Sequence, residues 1–292
     1  MVKVFMIMRN KNEIIDKVKE CLIKAASTFS DDKKEVYRQA IERETVKTAK
    51  WVLETTLKNA EVSELNRSPL CDDSGIPHLF LEIGPNQNVD GELLSCIREG
   101  VIAGLRELPG RPMAIKGDDK QRIDQSGGLD LDPGALMAAP ILLKSTDEDI
   151  LRLHILMHGG GPEIRGKTFR IFHKHKVSVV TDEIIDWAVE ASGKLGCSPV
   201  TVAIGIGRSH FEATSLMLEA MVFGNHDIQN DVEKEITDRL NKSNIGPLGL
   251  GGNTTALGTF IKVGPQRASG VRIVSMRPCC SIEPRKASVE LI

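Results

Sequence analysis

The stretch Arg67-Ser68-Pro69-Leu70-Cys71-Asp72-Asp73-Ser74-Gly75-Ile76-Pro77 sets a cysteine beside two carboxylates inside a turn punctuated by proline and glycine. It runs into Leu79-Phe80-Leu81-Glu82-Ile83-Gly84, which reads as a buried strand. Reactive side chains on a loop at the end of a strand are where function concentrates, because the scaffold fixes the loop while leaving it accessible. Taken alone, a cysteine next to Asp is more often an inert thiol in a turn. The rest of the chain decides between the two.

The chain has 292 residues, 41% apolar and 27% charged, long enough to bury a sizeable core. Its net charge of −2, single Tyr and two Trp supply neither the basic footprint nor the stacking platforms that nucleic acid requires. The apolar opening from Val2 to Met8 is too short, and too soon followed by charge, to be a signal peptide. No apolar run reaches membrane length. A cytoplasmic protein with no nucleic-acid or membrane partner is expected.

Six cysteines occur, Cys21, Cys71, Cys96, Cys197, Cys279 and Cys280, with no C-x-x-C pair. Reduced thiols are expected, and ribbon-type zinc sites are poorly supported. Cys21 and Cys96 lie in amphipathic helical patterns, where cysteine acts as a small core hydrophobe. The other four lie at junctions. Cys71 precedes a strand. Cys197 follows a helix expected from Asp182 to Lys194, capped by Thr181 and stopped by Gly196, and opens a strand from Ser198 to Ile204. Cys279 and Cys280 close a strand from Val271 to Met276. Three such loops can bring three thiolates to one point.

Residues 11–62 recur at helical spacings, and Leu93 to Leu108 reads as a further helix stopped by Pro109. A polar, Asp-rich loop then reaches Pro133. Strands are expected over Ala138 to Leu143, Leu151 to Met157, Thr168 to Phe172 and Val177 to Val180, and helices over Phe211 to Met221 and Val232 to Asn241. The class is therefore α/β: mixed β-sheets with flanking helices, a helical N-terminal region over residues 1–65, and cysteine loops at strand ends, all in one domain over 1–292. His173 and His175 alternate on an expected strand, but no third metal ligand is near, and a solvated face is the preferred reading.

Three glycine-rich stretches add detail. His158-Gly159-Gly160-Gly161-Pro162-Glu163 resembles an esterase oxyanion loop, but the nearest nucleophile pattern, Gly207-Arg208-Ser209-His210-Phe211, lacks its final glycine. Gly249 to Thr255 lacks the G-K-[ST] of a phosphate loop, and Gly205-Ile206-Gly207 lacks the dinucleotide spacing. Glycines this dense beside the cysteine loops fit close approach of backbone to a ligand.

Read in order, Pro69-Leu70-Cys71-Asp72-Asp73-Ser74-Gly75, Gly159-Gly160-Gly161-Pro162-Glu163, Gly196-Cys197-Ser198-Pro199, Gly246 to Thr255, and Cys280 followed by Arg285 form a set of landmarks. This set resembles the class I iron–sulfur hydro-lyases, in particular the alpha subunit of two-subunit fumarate hydratase and L(+)-tartrate dehydratase. The likeness runs from about Glu44 to Lys286. It implies a [4Fe–4S] cluster on Cys71, Cys197 and Cys280, with one iron left open as a Lewis acid. Cys279 is the alternative third ligand; Cys280 is preferred for its spacing to Arg285.

The same resemblance assigns Arg111, in an Arg-Pro segment, to clamping a substrate carboxylate, and Asp73 to hydrogen bonding at the reacting hydroxyl. Asp72 and the N–H groups of Gly159, Gly160 and Gly161 are implied substrate contacts. Three positions depart from the family pattern. Asp72 stands where many relatives have glutamine, His158 where lysine is common, and the loop carrying Asp118, Asp119 and Gln121 lacks the usual His-Pro-Leu-Thr-like continuation. The implied reaction is reversible hydration of a small dicarboxylate, with fumarate to (S)-malate leading and L(+)-tartrate dehydration as the alternative. A non-catalytic iron–sulfur sensor or scaffold is the reading from another class, and a cluster-free fold with structural thiols is a third. The chain ends soon after the third cysteine motif, which implies a separate beta subunit supplying the remaining substrate contacts and the general base, in a higher oligomer.

Overall fold

The structure is a computed structural model describing residues 10–292, so the apolar opening from Val2 to Met8 lies outside it. Three helices come first, α1 (Lys11–Ser27), α2 (Asp31–Arg43) and α3 (Lys47–Asn66), as the spacing over residues 11–62 predicts. Among the described residues no helix is long and apolar enough to cross a membrane.

Two four-stranded sheets follow. The first has the order β2-β1-β3-β8, built from β1 (Ile76–Ile83), β2 (Leu142–Ser145), β3 (Leu151–His158) and β8 (Lys286–Glu290). The second has the order β4-β7-β5-β6, from β4 (Lys167–Phe172), β5 (Val200–Gly207), β6 (Ala256–Val263) and β7 (Val271–Cys279). Each sheet holds one parallel pair, β1 with β2 and β5 with β6, and is otherwise antiparallel.

The period of two along the strands sorts side chains into layers. Leu79 and Leu81 of β1 and Leu151, Leu153, Ile155 and Met157 of β3 share a core with α1 and with α4 (Gly91–Glu107). Val200, Val202 and Ile204 of β5 belong to a core with α7 (Val177–Leu195) and α9 (Asp231–Asn241). The intervening Phe80, Leu156 and Ala203 fall instead in a cluster with Met217 and Met221 of α8 (His210–Phe223). Near-continuous apolar runs on β1, β3 and β5 are thus strands buried on both faces, with α8 lying between the two sheets.

Three local expectations change. Val177 to Val180, expected as a strand, is the first turn of α7, and Thr181 is an interior residue whose hydroxyl donates to Ser178 O at 3.1 Å. The β-branched run is overridden because Val180, Ile184, Ile185 and Ala188 share one face against the second sheet. Of the strand expected from Ala138, only β2 pairs regularly; upstream of Pro140 a single bond, Ala139 N–H to Pro77 O at 2.9 Å, runs alongside β1. His173 and His175 sit in a tight turn after β4, with Lys174 and His175 at positive φ, and His173 Nε2 lies 2.8 Å from Ser269 O.

The helices α1 and α4 cross closely because Gly100 lies over Val18. A Cβ at position 100 would stand 2.6 Å from Val18 Cβ and 2.8 Å from Ile15 O. In an isolated helix Gly→Ala stabilises by about 1 kcal/mol. Here overpacking wins: Gly100→Ala is expected to destabilise the protein by about 1–3 kcal/mol, read as a lower urea midpoint at unchanged slope.

Candidate functional site

The Cys71 loop leaves α3 at Arg67, whose φ of 52° ends the helix in the left-handed region. Leu70 N–H donates to Ala26 O at 3.0 Å, and Asn59 Nδ2 donates to Leu70 O at 3.0 Å, so α1 and α3 pin the residue before the cysteine. Beyond it the loop is held from the far end of the sequence. Arg285 Nη1 donates to Asp73 O at 2.7 Å and to Ser74 O at 3.0 Å, and its Nε donates to Met157 O at 3.1 Å. Gly75, at φ +89°, makes room for that guanidinium, since a Cβ there would sit 2.5 Å from Arg285 Nη2.

The Gly159–Gly161 stretch follows β3 directly as the N-cap and first two residues of the short helix α6 (Gly160–Arg165) and joins the same network. Gly159 N–H donates to Glu283 Oε1 at 2.6 Å, and Gly160 N–H donates to Asp73 Oδ2 at 2.7 Å. Asp73 Oδ1 also accepts from Gly75 N–H at 3.0 Å, so both oxygens of this half-buried carboxylate are oriented by backbone. The N–H groups of Gly159 and Gly160 are therefore engaged within the chain. His158, where a charge was in question, is buried and stacked on His78 with ring centroids 4.0 Å apart. Burial and the Arg277 charge hold it well below the usual histidine range, so it is neutral.

Cys197 and Cys280 meet through the backbone. Ser281 N–H donates to Cys197 O at 2.8 Å, which ties the turn after α7 to the loop after β7. The next residue, Ser198, anchors the glycine loop: its Oγ donates to Gly246 O at 2.6 Å, and Leu248 N–H donates to Ser198 O at 3.0 Å. That loop serves the cysteine turn rather than a phosphate. The Cys197 thiol is raised by burial and then by the neighbouring Cys71, an electrostatic coupling between two side chains 126 positions apart in sequence.

Cys279 and Cys280 face different surroundings. Cys279 closes β7 opposite Thr201, is fully buried in the apolar cluster with Phe80, Met217 and Met221, and its Sγ accepts from Arg277 Nη1 at 3.7 Å. Cys280 belongs to the cluster of Leu70 and Ile282, with Leu195 packed against it, which brings it among the residues flanking Cys71 and Cys197. Burial pushes each of these two thiols up to about 12. Cys71 and Cys197 are exposed, while Cys21 and Cys96 are core residues between α1, α4 and the first sheet, as their helical patterns predict.

Beneath the cysteine loops lies a buried charged network that sequence reasoning missed apart from Arg285. Arg277 Nη1 pairs with Glu283 Oε2, its Nη2 donates to Gly159 O at 3.0 Å, and its Nε meets Glu163 Oε2 at 3.2 Å. Burial opposes the Arg277 charge, but Glu283, Cys279 and Glu163 together more than offset it and the net shift is upward. From α2, Lys33 Nζ donates to Glu283 O at 2.5 Å, and Tyr37 OH donates to Ser281 O at 2.8 Å. The i, i+4 spacing of Lys33 and Tyr37 put them on one helix face, but a lysine in a charged run reads as solvated surface.

On the open side, Arg111 Nε lies 3.0 Å from Asp72 Oδ2 and donates to Asp72 O at 3.3 Å. Its terminal nitrogens have no partner among the described residues, and both side chains are exposed. Asp118, Asp119 and Gln121 lie on α5 (Asp119–Asp124), closed by a capping box between Asp118 and Gln121.

The donor set can be tested against an iron–sulfur group. Among the described residues no three His, Cys, Asp or Glu side chains gather as ligands of a single ion. A cluster makes a different demand, because each thiolate binds a different iron. The three loops carrying Cys71, Cys197 and Cys280 are tied to one another, two of the thiols are exposed, and Arg285, which bonds the Cys71 loop, has a buried Nη2 with no hydrogen bond and only Glu283 Oε1 near it, at 3.6 Å. These features fit an anionic group at the loops.

Comparison with known proteins gives an independent finding. The family described as Fumarate hydratase (Fumerase) matches residues 15–290. A Methanocaldococcus jannaschii protein provisionally named L(+)-tartrate dehydratase subunit alpha is 27% identical over 86% of this chain and 88% of its own length. The L(+)-tartrate dehydratase subunit alpha of Escherichia coli K12 is 25% identical over 92% of this chain and 90% of its own length. With its landmark loops drawn together and a match spanning nearly the whole chain, this protein belongs to the fumarate hydratase family of hydro-lyases.

Proposed function

We propose that the chain is the alpha subunit of an iron–sulfur hydro-lyase that reversibly adds water to fumarate to give (S)-malate, acting as one domain over 1–292. The observation that carries this reading is the hydrogen-bond linkage of the Cys71, Cys197 and Cys280 loops through Ser281 N–H and the Arg285 guanidinium. Cys71, Cys197 and Cys280 would hold a [4Fe–4S] cluster, and Cys279 is set aside by its place in the apolar cluster around α8. When bound, the cluster supplies a Lewis acid with one open iron at the substrate hydroxyl.

The chain's own residues then do the following. The free end of the Arg111 guanidinium binds a substrate carboxylate, where negative charge grows as the adjacent carbon loses its proton. Asp73, fixed by Gly75 and Gly160, keeps lone pairs on both oxygens and accepts a hydrogen bond from the substrate hydroxyl. The Gly159–Gly161 stretch forms the floor that holds Asp73 in place. Asp72 tempers the Arg111 charge and lines the same opening. The reaction is redox-neutral: hydroxyl joins one carbon and a proton the other, and the reverse step expels both. A beta subunit covers this exposed face, supplies the general base and excludes water. The working enzyme is a higher oligomer in the cytoplasm.

L(+)-tartrate is the second reading, favoured by the names of both relatives and by Asp72, an acceptor suited to a further substrate hydroxyl. A site built to bond that hydroxyl would reject malate by about 10⁴-fold in kcat/KM. Comparing malate with tartrate on the reconstituted enzyme therefore separates the two substrates.

The direct test is anaerobic reconstitution followed by iron and acid-labile sulfide analysis. Cys71→Ser, Cys197→Ser and Cys280→Ser are each expected to cut bound iron by about tenfold or more, while Cys279→Ser retains the wild-type content. Equal loss in Cys279→Ser and retention in Cys280→Ser would reverse the assignment of the third ligand. Arg111→Met should lower kcat/KM by ~10- to 100-fold, with kcat falling as well as KM rising, at unchanged iron content. Fumarate hydration should require both subunits; full activity of this chain alone would reject the shared-site reading.

A further inference from the structure

The buried charges beside the cysteine loops do not balance. Lys33, Arg277 and Arg285 are each 1% exposed, and the carboxylate they surround is that of Glu283 alone, at 0%. Glu283 is already engaged by Arg277 and Gly159 N–H, and Arg277 reaches the exposed Glu163 as well. Arg285 Nη1 and Nε bond only backbone carbonyls, and its Nη2 has no hydrogen bond but lies 3.6 Å from Glu283 Oε1, the carboxylate it shares with Arg277. Lys33 is the most exceptional of the three. Its ammonium donates to one carbonyl, Glu283 O, lies over the Phe29 ring at 4.6 Å, and makes no ion pair among the described residues. Burial pulls Lys33 down to about 7, and a fully buried ammonium with so little compensation is costly unless a negative group comes to it. After burial itself, the strongest electrostatic influences on Lys33 come from Cys280 and Cys279.

We propose that Lys33 is the buried counter-cation of the iron–sulfur group, a positioning residue that stabilises the loaded state of the third cysteine loop. The inference rests on the reading that Cys71, Cys197 and Cys280 hold that group. Thiolate ligands bring negative charge to the loops, and Lys33 meets it from behind, through the tight turn in which Glu283 N–H donates to Cys280 O at 2.8 Å. Tyr37, one helical turn on, holds the neighbouring carbonyl of Ser281 without contributing charge. Charge and loop geometry can therefore be separated by substitution.

The test uses the full chain, loaded anaerobically with iron and sulfide. Lys33→Met keeps the stem and removes the charge. It should lose its cluster to an iron chelator about tenfold faster than wild type, as expected for removal of an outer-shell partner. Its cluster should also have a lower reduction potential, because a positive charge favours the reduced form. The cluster-free variant should melt at or above the wild-type temperature, since an unpaired buried charge has gone. Tyr37→Phe should leave the potential at its wild-type value. The proposal is overturned if Lys33→Met retains the wild-type loss rate and potential, if its cluster-free form is destabilised or fails to fold, or if Tyr37→Phe shifts the potential as far. Wild-type chain that takes up neither iron nor sulfide would overturn the three-thiol reading and this one together, an outcome distinct from failure in the variant alone.

Discussion

Glu283 carries a carboxylate into a place with no exposed surface, and the partners that satisfy it come from separate parts of the chain. Arg277 reaches it from β7, and Gly159 N–H from the end of β3; Lys33 of α2 takes the carbonyl of the same residue. Removing one partner from such a buried pair typically costs about 3–5 kcal/mol, although the intact pair adds little net stability. Its consequence is placement. Because Arg277 also donates to Gly159 O, the end of the first sheet's central strand and the end of the second sheet's β7 are locked in one relative position. The loop between β7 and β8, which carries Cys280, cannot shift without exposing an unpaired charge.

That lock also sets the electrostatics of the open face. Cys280, pushed up to about 12 by burial, is a thiol at neutral pH on its own, so metal binding there must displace a proton. On the proposed reading, the buried side chains of Arg285 and Lys33 would lower the cost of leaving sulfur negative. Farther out, Cys71, Cys197 and Arg111 stand in contact with solvent, where salt and water screen each charge. Chemistry on a dicarboxylate gains most when that screening is removed, which is the physical argument for the proposal that a partner subunit closes over this side.

Much of the fold was legible because burial on both strand faces leaves unbroken apolar runs, as in Leu151 to Met157 and Val200 to Ile204. Helix stops at Pro109 and Gly196 were legible as backbone constraints. Val177 to Val180 misled because β-branched residues favour strands only in the absence of a helical face to complete, and the apolar partners that complete it begin four residues later, beyond a strand-sized window. At the site, the cysteine loops and Asp73 stood out through residue chemistry and family likeness. Lys33, Tyr37, Arg277 and Glu283 did not, since a charged residue on an amphipathic helix or beside a strand end reads as surface until its distant partner is known. Their bonds span two to 250 positions, and all but those of Arg277 to Cys279 and Glu283 bridge separate segments of the chain.

The N-terminal helices gain their role from the same long-range bonds. Ala26 O and Asn59 hold the residue before Cys71; Lys33 and Tyr37 hold the loop after Cys280; and Glu44 Oε2 accepts from Asn253 N–H at 2.9 Å, steadying the glycine loop that backs Ser198 beside Cys197. Each cysteine loop therefore has a helical support behind it, and each support is fixed by apolar contacts of α2 and α3 with Leu70, Leu257 and Ile282. A site built on loops would ordinarily be mobile on the scale that matters for placing reactive atoms. Here the loops are short, tied to one another through backbone, and packed from one side against a helical wall. Approach by a ligand is left to the opposite side, where Cys71, Cys197, Asp72 and Arg111 are exposed.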